Sequence, residues 1–289
     1  MNLISEIPGS FVDPACPLNR DFPPNRGIVS CWKILPNSGW RGGDKLRDIV
    51  RGLRKPNDGT LTNGPTWQGA LGRPGGFGSI SAAAGSELID GGTVAALPTG
   101  ATAAFSFGFW HNTRAIVSLA HAFGWGATLP IDSTTANNGE RRSVLQYVGN
   151  YYFWGESADW DTGIAWNTGG WFRIDFTGDG TNLRLYRNGV LAAGPQAYPA
   201  FAAISPGPIL AAFSRHSGAA SSPNMLLDDC TACDRALSAS EVYALYEDSI
   251  RGNPQGLNWI STRTYFGVAA AGGVASHRNQ MLLGVGSYF

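Results

Sequence analysis

The sequence is poor in charge: Lys, Arg, Asp and Glu make up 15% of its 289 residues, against about 25% in an average globular protein. Basic and acidic residues number 21 each, so the formal net charge is zero. Such a chain has no basic field to attract nucleic acid or an anionic membrane. We therefore expect neither as a partner, and a surface that is neutral and polar or partly covered by other subunits.

Long hydrophobic runs are also missing. No apolar stretch reaches the roughly 18 residues that a membrane helix needs. The opening residues, MNLISEIPGSFVDP, have neither the basic nor the apolar region of a signal peptide. We therefore expect a soluble protein that does not use the Sec route.

Catalytic motifs are absent as well. The sequence has no GxSxG elbow, HExxH pair, Walker motif or strand–helix GxGxxG. The four histidines are isolated from one another, and we interpret each as structural rather than as a base: His111, His121, His216 and His277. These absences predict that the protein is not an enzyme.

Cysteine is scarce, with four in the chain, but two form a CxxC, Cys230 and Cys233, that suggests zinc or redox chemistry. The segment alternates as a strand, so the two side chains point to opposite faces. Two further zinc ligands are also missing. We therefore predict buried thiols and no metal site, and leave open a disulfide between Cys16 and Cys31.

Glycine and tryptophan are abundant, with 39 and 10 residues, and 43% of the chain is hydrophobic. This composition is typical of an all-β sandwich with short strands and many turns. Alternation places Phe105, Phe107 and Phe109 on one face of a strand. Asn188-Gly189 predicts a type I′ hairpin turn, and Gly149-Asn150 is a second candidate turn.

One helix is marked near the end of the sandwich. Ser238 is its predicted N-cap, and Glu241 three residues later completes a capping box. Gly252 and Pro254 end it. The predicted buried face consists of Val242, Leu245, Tyr246 and Ser249. We expect this helix to plug one end of the sandwich.

We interpret the remaining segments as terminal arms. The chain is then divided into a first arm (1–26), a β domain (27–252) and a second arm (253–289). Five prolines in the first arm favour extended backbone. The second arm contains apolar residues such as Trp259 and Phe266 that water would not leave exposed. We expect it to add a strand or fill a cleft on its own domain or on a neighbour.

Three segments together resemble a known family, over roughly residues 27–252. They are FSFGFW at 105–110, a hairpin with Trp171, Gly180, Leu185, Tyr186, Asn188 and Gly189, and a closing segment with Asp228, Arg235, Ala236, Leu237, Ser238, Glu241, Leu245 and Tyr246. They resemble the LamG-like members of the concanavalin A-like lectin/glucanase superfamily. The resemblance implies a jelly-roll sandwich of two antiparallel sheets with one short C-terminal helix.

Three further features bear on this resemblance. The segments NRGIVSCW and GTLTNGPTW are similar to LamG-type proteins of tailed phages and environmental viral genomes. Glucanases of this fold use an ExDxxE strand, whereas the nearest string here, ESADWD at 156–161, has the wrong spacing. Some relatives hold Ca²⁺ at the rim, and the candidate ligands here are Asp132, Asn137, Asn138, Asp159, Asp161 and Asp179.

A Trp-rich loop at 151–171 is the candidate binding site. Exposed aromatic faces beside carboxylates suit stacking on sugar rings, and the predicted carbohydrate ligands are Trp154, Trp160, Trp166, Glu156, Asp159 and Asp161. In the alternative interpretation, Trp154 and Trp171 belong to the core. Trp160 and Trp166 then cap loops or pack at a subunit interface.

These observations favour a non-catalytic structural protein on a virion surface, a capsid decoration or head component that its arms join to copies of itself or to capsid subunits. The alternative is a lectin-like module that binds glycans through the Trp-rich loop. The expected location is the virion surface, or the cell surface or extracellular space by a non-Sec route.

Overall fold

The computed structural model describes residues 22–32, 45–46, 48, 50, 57–69, 71–76, 78–83, 85–129, 131, 141–155, 159–197, 207–214 and 223–250. Residues 1–21 of the first predicted arm, the whole of the second arm and Glu156 lie outside these residues, as do Cys16, His216 and His277.

Within the described residues the chain forms sixteen strands, one 3₁₀ turn (Pro23–Asn25) and one α-helix. The strands are β1 (Ile28–Trp32), β2 (Lys45–Leu46), β3 (Gly59–Thr62), β4 (Thr66–Gln68), β5 (Ser79–Ala83), β6 (Leu88–Thr93), β7 (Phe105–Ala115), β8 (Ala120–Gly126), β9 (Arg141–Tyr147), β10 (Asn150–Trp154), β11 (Trp160–Ala165), β12 (Trp171–Gly178), β13 (Asn182–Arg187), β14 (Val190–Ala197), β15 (Ile209–Ala212) and β16 (Asn224–Cys233). The helix is α1 (Ala239–Ile250).

The strands build two antiparallel sheets. Sheet A has the order β14-β13-β12-β7-β16-β5-β4, with β1 also paired to β16. Sheet B has the order β11-β10-β9-β8-β15-β6-β3-β2. This architecture confirms the predicted all-β sandwich with one C-terminal helix.

The core fills the space between the sheets and follows the predicted alternation. Phe105, Phe107 and Phe109 of β7 are all buried in it. The Phe107 ring meets Trp125 of sheet B edge-on at 5.4 Å between centroids and stacks on Phe176 of its own sheet at 5.7 Å. Aromatic contacts of this kind join the two layers.

The two predicted hairpin turns have different outcomes. Asn188 and Gly189 have φ values of 51° and 77° between β13 and β14, as a type I′ turn requires. The other turn is Val148-Gly149, one residue earlier than predicted, with φ values of 50° and 82°. Asn150 is instead the first residue of β10 and pairs with Tyr147.

The helix begins as predicted. Glu241 N–H donates to Ser238 Oγ at 3.3 Å, and Ser238 N–H donates to Glu241 Oε2 at 2.9 Å, which completes the capping box. The prediction that this helix closes one end of the sandwich is wrong, because α1 packs on the outer face of sheet A. The Tyr246 ring stacks on Trp110 at 5.7 Å.

Beneath the helix lies a second apolar cluster that contains Tyr186, Val242 and Leu245. Cys233 belongs to this cluster, whereas Cys230 belongs to the core between the sheets. The two thiols are buried on opposite faces, as the strand pattern predicted. Burial raises the pKa of Cys233 to about 12, so this thiol stays protonated at neutral pH. Cys16 lies outside the described residues, so a disulfide between Cys16 and Cys31 stays open.

Candidate functional site

The β9–β10–β11 edge of sheet B carries an exposed set of polar and aromatic side chains. In the strand register, Tyr147 pairs with Asn150 and Tyr152 pairs with Asp161. Directly paired residues in antiparallel strands project to the same face. Phe153, next to Tyr152 in the strand, points into the core. Tyr152 and the residues paired with it across the strands therefore point outward.

We call the edge patch the set Tyr147, Asn150, Tyr152, Asp159 and Asp161. The rings of Tyr147 and Tyr152 meet nearly at right angles, with 5.2 Å between centroids and 72° between planes. Tyr147 is 37% exposed and Tyr152 is half-buried. Two phenols held in this way offer an aromatic surface with two hydroxyl groups beside it.

An amide and two carboxylates border this aromatic surface. Asn150 Nδ2 donates to both carboxylate oxygens of Asp161, at 3.0 and 3.3 Å. Gly163 N–H donates to Asp161 Oδ1 at 2.9 Å, and Gly155 N–H donates to Asp159 Oδ1 at 3.1 Å. Both aspartates are exposed. The hydrogen bonds fix their orientation while leaving them accessible from solvent.

The local field at the patch is negative. Burial raises the pKa of the Tyr152 hydroxyl, and the charges of Asp159 and Asp161 raise it further. Both carboxylates therefore act on this hydroxyl, which remains a protonated donor at neutral pH. The patch thus presents a hydroxyl donor beside carboxylate acceptors, which is the pairing that sugar hydroxyls use.

A buried polar network supports the patch from behind. His111 lies 2.8 Å from the Tyr151 hydroxyl through Nε2 and 3.0 Å from Thr113 Oγ1 through Nδ1. Burial lowers the pKa of His111 to about 3, so the ring is neutral. Thr162 Oγ1 donates to the Tyr151 carbonyl at 2.6 Å. These bonds hold β10 and β11 in place, so the patch is preorganised.

The structure places the predicted tryptophans differently. Trp154 is buried, and the Arg141 guanidinium lies 3.5 Å above its ring. Trp166 is buried against Tyr151, and its Nε1 donates to Thr113 Oγ1 at 2.7 Å. Neither ring has a face available for sugar stacking, because protein groups already cover both. This corrects the expectation of exposed tryptophan faces at these two positions.

The remaining residues of the Trp-rich loop have different outcomes. Trp160 is half-buried and packs edge-on against Phe176 at 6.2 Å. Trp171 is half-buried as well, whereas the alternative interpretation assigned it to the core. Glu156 lies outside the described residues. Asp159 and Asp161 are brought together in the edge patch, and their role in ligand binding stays a prediction.

Tyr147, Asn150 and Tyr152 were not in the predicted set. The sequence did contain a signal for them, because the strand pattern of residues 142–154 alternates around a short turn. The predicted turn at Gly149-Asn150 was one residue late, so Asn150 was assigned to the turn and not to the strand that carries Tyr152. The prediction selected tryptophans rather than tyrosines, and Trp154 is covered by Arg141 although it lies on the same strand face as Tyr152.

Among the described residues, no group of three or more His, Cys, Asp or Glu side chains could hold a metal ion. Of the calcium candidates, Asp179 accepts hydrogen bonds from the backbone N–H groups of Thr181 and Asn182. It also forms an ion pair with Arg184. Asp132, Asn137 and Asn138 lie outside the described residues. No helix in the described part of the chain is long and apolar enough to cross a bilayer.

Comparison with known families agrees with this architecture. A family profile described as the concanavalin A-like lectin/glucanases superfamily matches residues 89–243, which is more than half of the chain. The chain belongs to this superfamily. The matched region of this concanavalin A-like protein includes the edge patch and most of the segment that leads into α1. A search of curated protein sequences gives no match.

Solved structures with the same fold share little sequence with this concanavalin A-like chain. The binding domain of Paraclostridial Mosquitocidal Protein 1 is 15% identical, with a TM-score of 0.56, over 77% of this chain and 52% of that one. The receptor binding domain of botulinum neurotoxin C/D mosaic serotype is 12% identical, with a TM-score of 0.54, over 77% and 51%.

A third similar structure is an enzyme. Trypanosoma rangeli sialidase in complex with the inhibitor DANA is 14% identical, with a TM-score of 0.52, over 76% of this chain and 33% of that one. The chain spans about half the length of the two binding domains and a third of the sialidase. Identities this low show the fold alone. The comparisons do not support the phage and viral resemblance.

Proposed function

We propose that this chain is a non-catalytic carbohydrate-binding module and that the edge patch is its binding surface. The observation that carries the proposal is the Tyr152–Asp161 cross-strand pair, with Tyr147 at a right angle to Tyr152 and Asn150 bonded to Asp161. A sugar ring has an apolar face of C–H groups and a rim of hydroxyls. An aromatic surface bordered by amide and carboxylate groups complements both.

The comparisons add support of a general kind. The superfamily includes lectins in its own description, and two of the similar structures are described as binding domains. The sialidase among the similar structures would favour catalysis instead. Hydrolysis of a glycoside needs one carboxyl group that can donate a proton. In this chain both oxygens of Asp161 are already bonded to the Asn150 amide.

A glycan array tests this proposal. We expect the wild-type protein to bind a subset of neutral glycans, and Tyr152→Ala and Tyr147→Ala to lose about tenfold in affinity, the loss typical of an aromatic anchor. Tyr243→Ala is the matched control, since Tyr243 is 48% exposed on α1 against the other sheet. An array with no bound glycan would remove the proposal. Incubation with nitrophenyl glycosides should release no nitrophenol, and turnover would contradict the non-catalytic assignment.

The virion-surface role remains a second proposal, with its location and its self or capsid partners. It depends on the two arms, whose residues 1–21 and 251–289 lie outside the described part. One contact refines its test. Arg235 donates to the carbonyls of Pro23 at 2.7 Å and Arg26 at 2.6 Å, so residues 22–26 belong with the folded domain.

The truncated chain should therefore contain residues 22–250, without residues 1–21 and 251–289. If the arms drive assembly, this truncated chain stays folded by circular dichroism but elutes as a smaller species in size-exclusion chromatography. Equal elution behaviour, corrected for chain length, would contradict assembly through the arms. Whether the purified protein occurs on particles tests the location.

A further inference from the structure

The hairpin turn beside the edge patch contains an unusual residue. Val148 has a φ of 50° and is 72% exposed. A β-branched residue is a genuine outlier in the left-handed region, where Asn or Gly is the usual choice. The turn therefore keeps an exposed apolar side chain at a cost in backbone strain. Strain of this kind concentrates at positions that contact ligands.

A second exposed apolar side chain is fixed to the same hairpin. Gln146 Oε1 accepts the N–H of Val117 at 2.8 Å, and the Gln146 carbonyl accepts the N–H of Leu119 at 2.7 Å. Leu119 also has a positive φ, at 63°. Ile116, next to Val117, is 41% exposed. We call Ile116 and Val148 the apolar tip.

The apolar tip adjoins the edge patch along the chain at Val148. Val148 follows Tyr147 directly in the chain, and the Tyr147 ring contacts Tyr152. The backbone N–H of Trp166, the residue after β11, donates to the Gly149 carbonyl at 2.8 Å. This bond fixes the turn relative to β11. A ligand on Tyr152 that extends past Tyr147 thus reaches the turn that carries Val148.

We infer that the edge patch binds an uncharged or amine-bearing saccharide with an apolar substituent, such as the methyl group of a 6-deoxy sugar or of an N-acetyl group, that packs on Val148. This inference rests on the proposed carbohydrate-binding function. The charges that act on Tyr152 come from Asp159 and Asp161, and both are negative. They repel carboxylated sugars, so the site discriminates by charge as well as by shape.

Burial of one methyl group changes affinity by about fourfold, from the transfer free energy of a CH₂ group. The test therefore compares sugars that differ by one group. L-fucose against L-galactose probes the 6-methyl group, N-acetylglucosamine against glucose probes the acetyl group, and N-acetylneuraminic acid probes charge. Affinities are measured by calorimetry for the wild type, Val148→Asn and Val190→Asn.

Val190→Asn is a matched control, because Val190 is 62% exposed next to the other hairpin turn. We expect the wild type and Val190→Asn to prefer at least one methyl-bearing sugar about fourfold over its partner. Val148→Asn should lose this preference. Its melting temperature should rise by roughly 2 °C or more, because Asn accepts the left-handed backbone and relieves the strain.

Each outcome supports or overturns the inference. If the wild type binds sugars but Val148→Asn keeps the full preference, the inference is overturned and the proposed function stands. Preferred binding of N-acetylneuraminic acid also overturns the inference alone. If the wild type binds none of these sugars nor any array glycan, both fail. A lower melting temperature for Val148→Asn and for Val148→Gly would contradict the strain argument.

Discussion

Tyr152 and Asp161 are direct cross-strand partners on the outer face of sheet B, and the negative charge of Asp161 acts on the Tyr152 hydroxyl. The pair lies at the last two strands of the sheet, where side chains on the outer face are accessible. The network of His111, Tyr151 and Thr113 lies directly behind it. A rigid, polar and aromatic surface at a sheet edge is the arrangement on which the proposed function rests.

The first prediction concerns this electrostatic coupling. Asp161→Asn removes one of the negative charges that raise the pKa of Tyr152, so that pKa should fall toward its ordinary value. The variant keeps a carbonyl oxygen that can accept from Asn150, so the fold should be retained. Tyrosine titration followed by NMR measures the shift. Asp179→Asn, an exposed carboxylate elsewhere, is the control, and an unchanged Tyr152 pKa in Asp161→Asn would refute the coupling.

A second prediction concerns pH and stability. Burial lowers the pKa of both His111 and His121 to about 3, against 6.5 for ordinary histidine. Below pH 6.5 the unfolded chain binds protons at these rings and the folded chain does not. Stability should therefore fall as the pH drops from 6.5 toward 3, by about 1.4 kcal/mol per pH unit for each histidine.

Asp48 acts in the opposite direction. Burial raises its pKa to about 6, so the folded state binds a proton there that the unfolded state does not, between pH 6 and 3.8. A variant isolates one histidine from this background. Within the described part of the chain, neither ring nitrogen of His121 has a hydrogen-bond partner.

His121→Leu should therefore be no less stable than the wild type at pH 7.5, because it removes buried unsatisfied groups. The free energy of unfolding in urea, measured from pH 7.5 to 4.5, should also depend less on pH by about 1.4 kcal/mol per unit. Parallel pH profiles for the variant and the wild type would rule out a neutral, buried His121.

The third prediction concerns the clamp on the N-terminal segment. Arg235 pairs with Glu241 at 2.7 Å and donates to two carbonyls of the segment before β1. This pairing lowers the pKa of Glu241 to about 2. Arg235→Gln should lower the free energy of unfolding by about 1–2 kcal/mol, allowing for partial exposure of the pair.

Arg184→Gln is the matched control for the clamp. Arg184 pairs with Asp179 at a similar exposure, but its ion pair lies within one hairpin. Its loss should cost less than about 1 kcal/mol. Arg235→Gln should also expose the chain near residue 21 to proteolysis, and Arg184→Gln should not. Equal costs and equal proteolysis for the two variants would contradict the clamp.

The fourth prediction concerns a buried ionic network beneath α1. Asp229 Oδ2 lies 3.4 Å from Arg73 Nη2 and 3.6 Å from Arg173 Nη1, and all three side chains are buried. Asp229→Asn leaves two buried guanidinium groups with less compensation. The expected cost is about 3–5 kcal/mol in urea unfolding. A cost below about 1 kcal/mol would show that Asp175 and Asp228 suffice.

The sequence predicted local features best. Asn188-Gly189 and the Ser238–Glu241 capping box depend on neighbouring residues, and both formed as expected. The patch depends instead on how β9, β10 and β11 pair, and the predicted turn had placed Asn150 outside β10. The burial of Trp154 depends on a contact with Arg141 on a different strand. Composition and spacing do not specify such contacts, so the sequence left two interpretations of Trp154 open, and its burial agrees with the one that assigned it to the core.

The most direct test of the central claim is the affinity of one glycan for two proteins. Calorimetry with the tightest neutral glycan from the array would compare the wild type with Tyr152→Ala. The edge-patch account predicts a dissociation constant about tenfold higher for the variant, measured at a temperature where circular dichroism shows that both proteins are folded. Equal dissociation constants would show that the sugar binds elsewhere and would contradict the account.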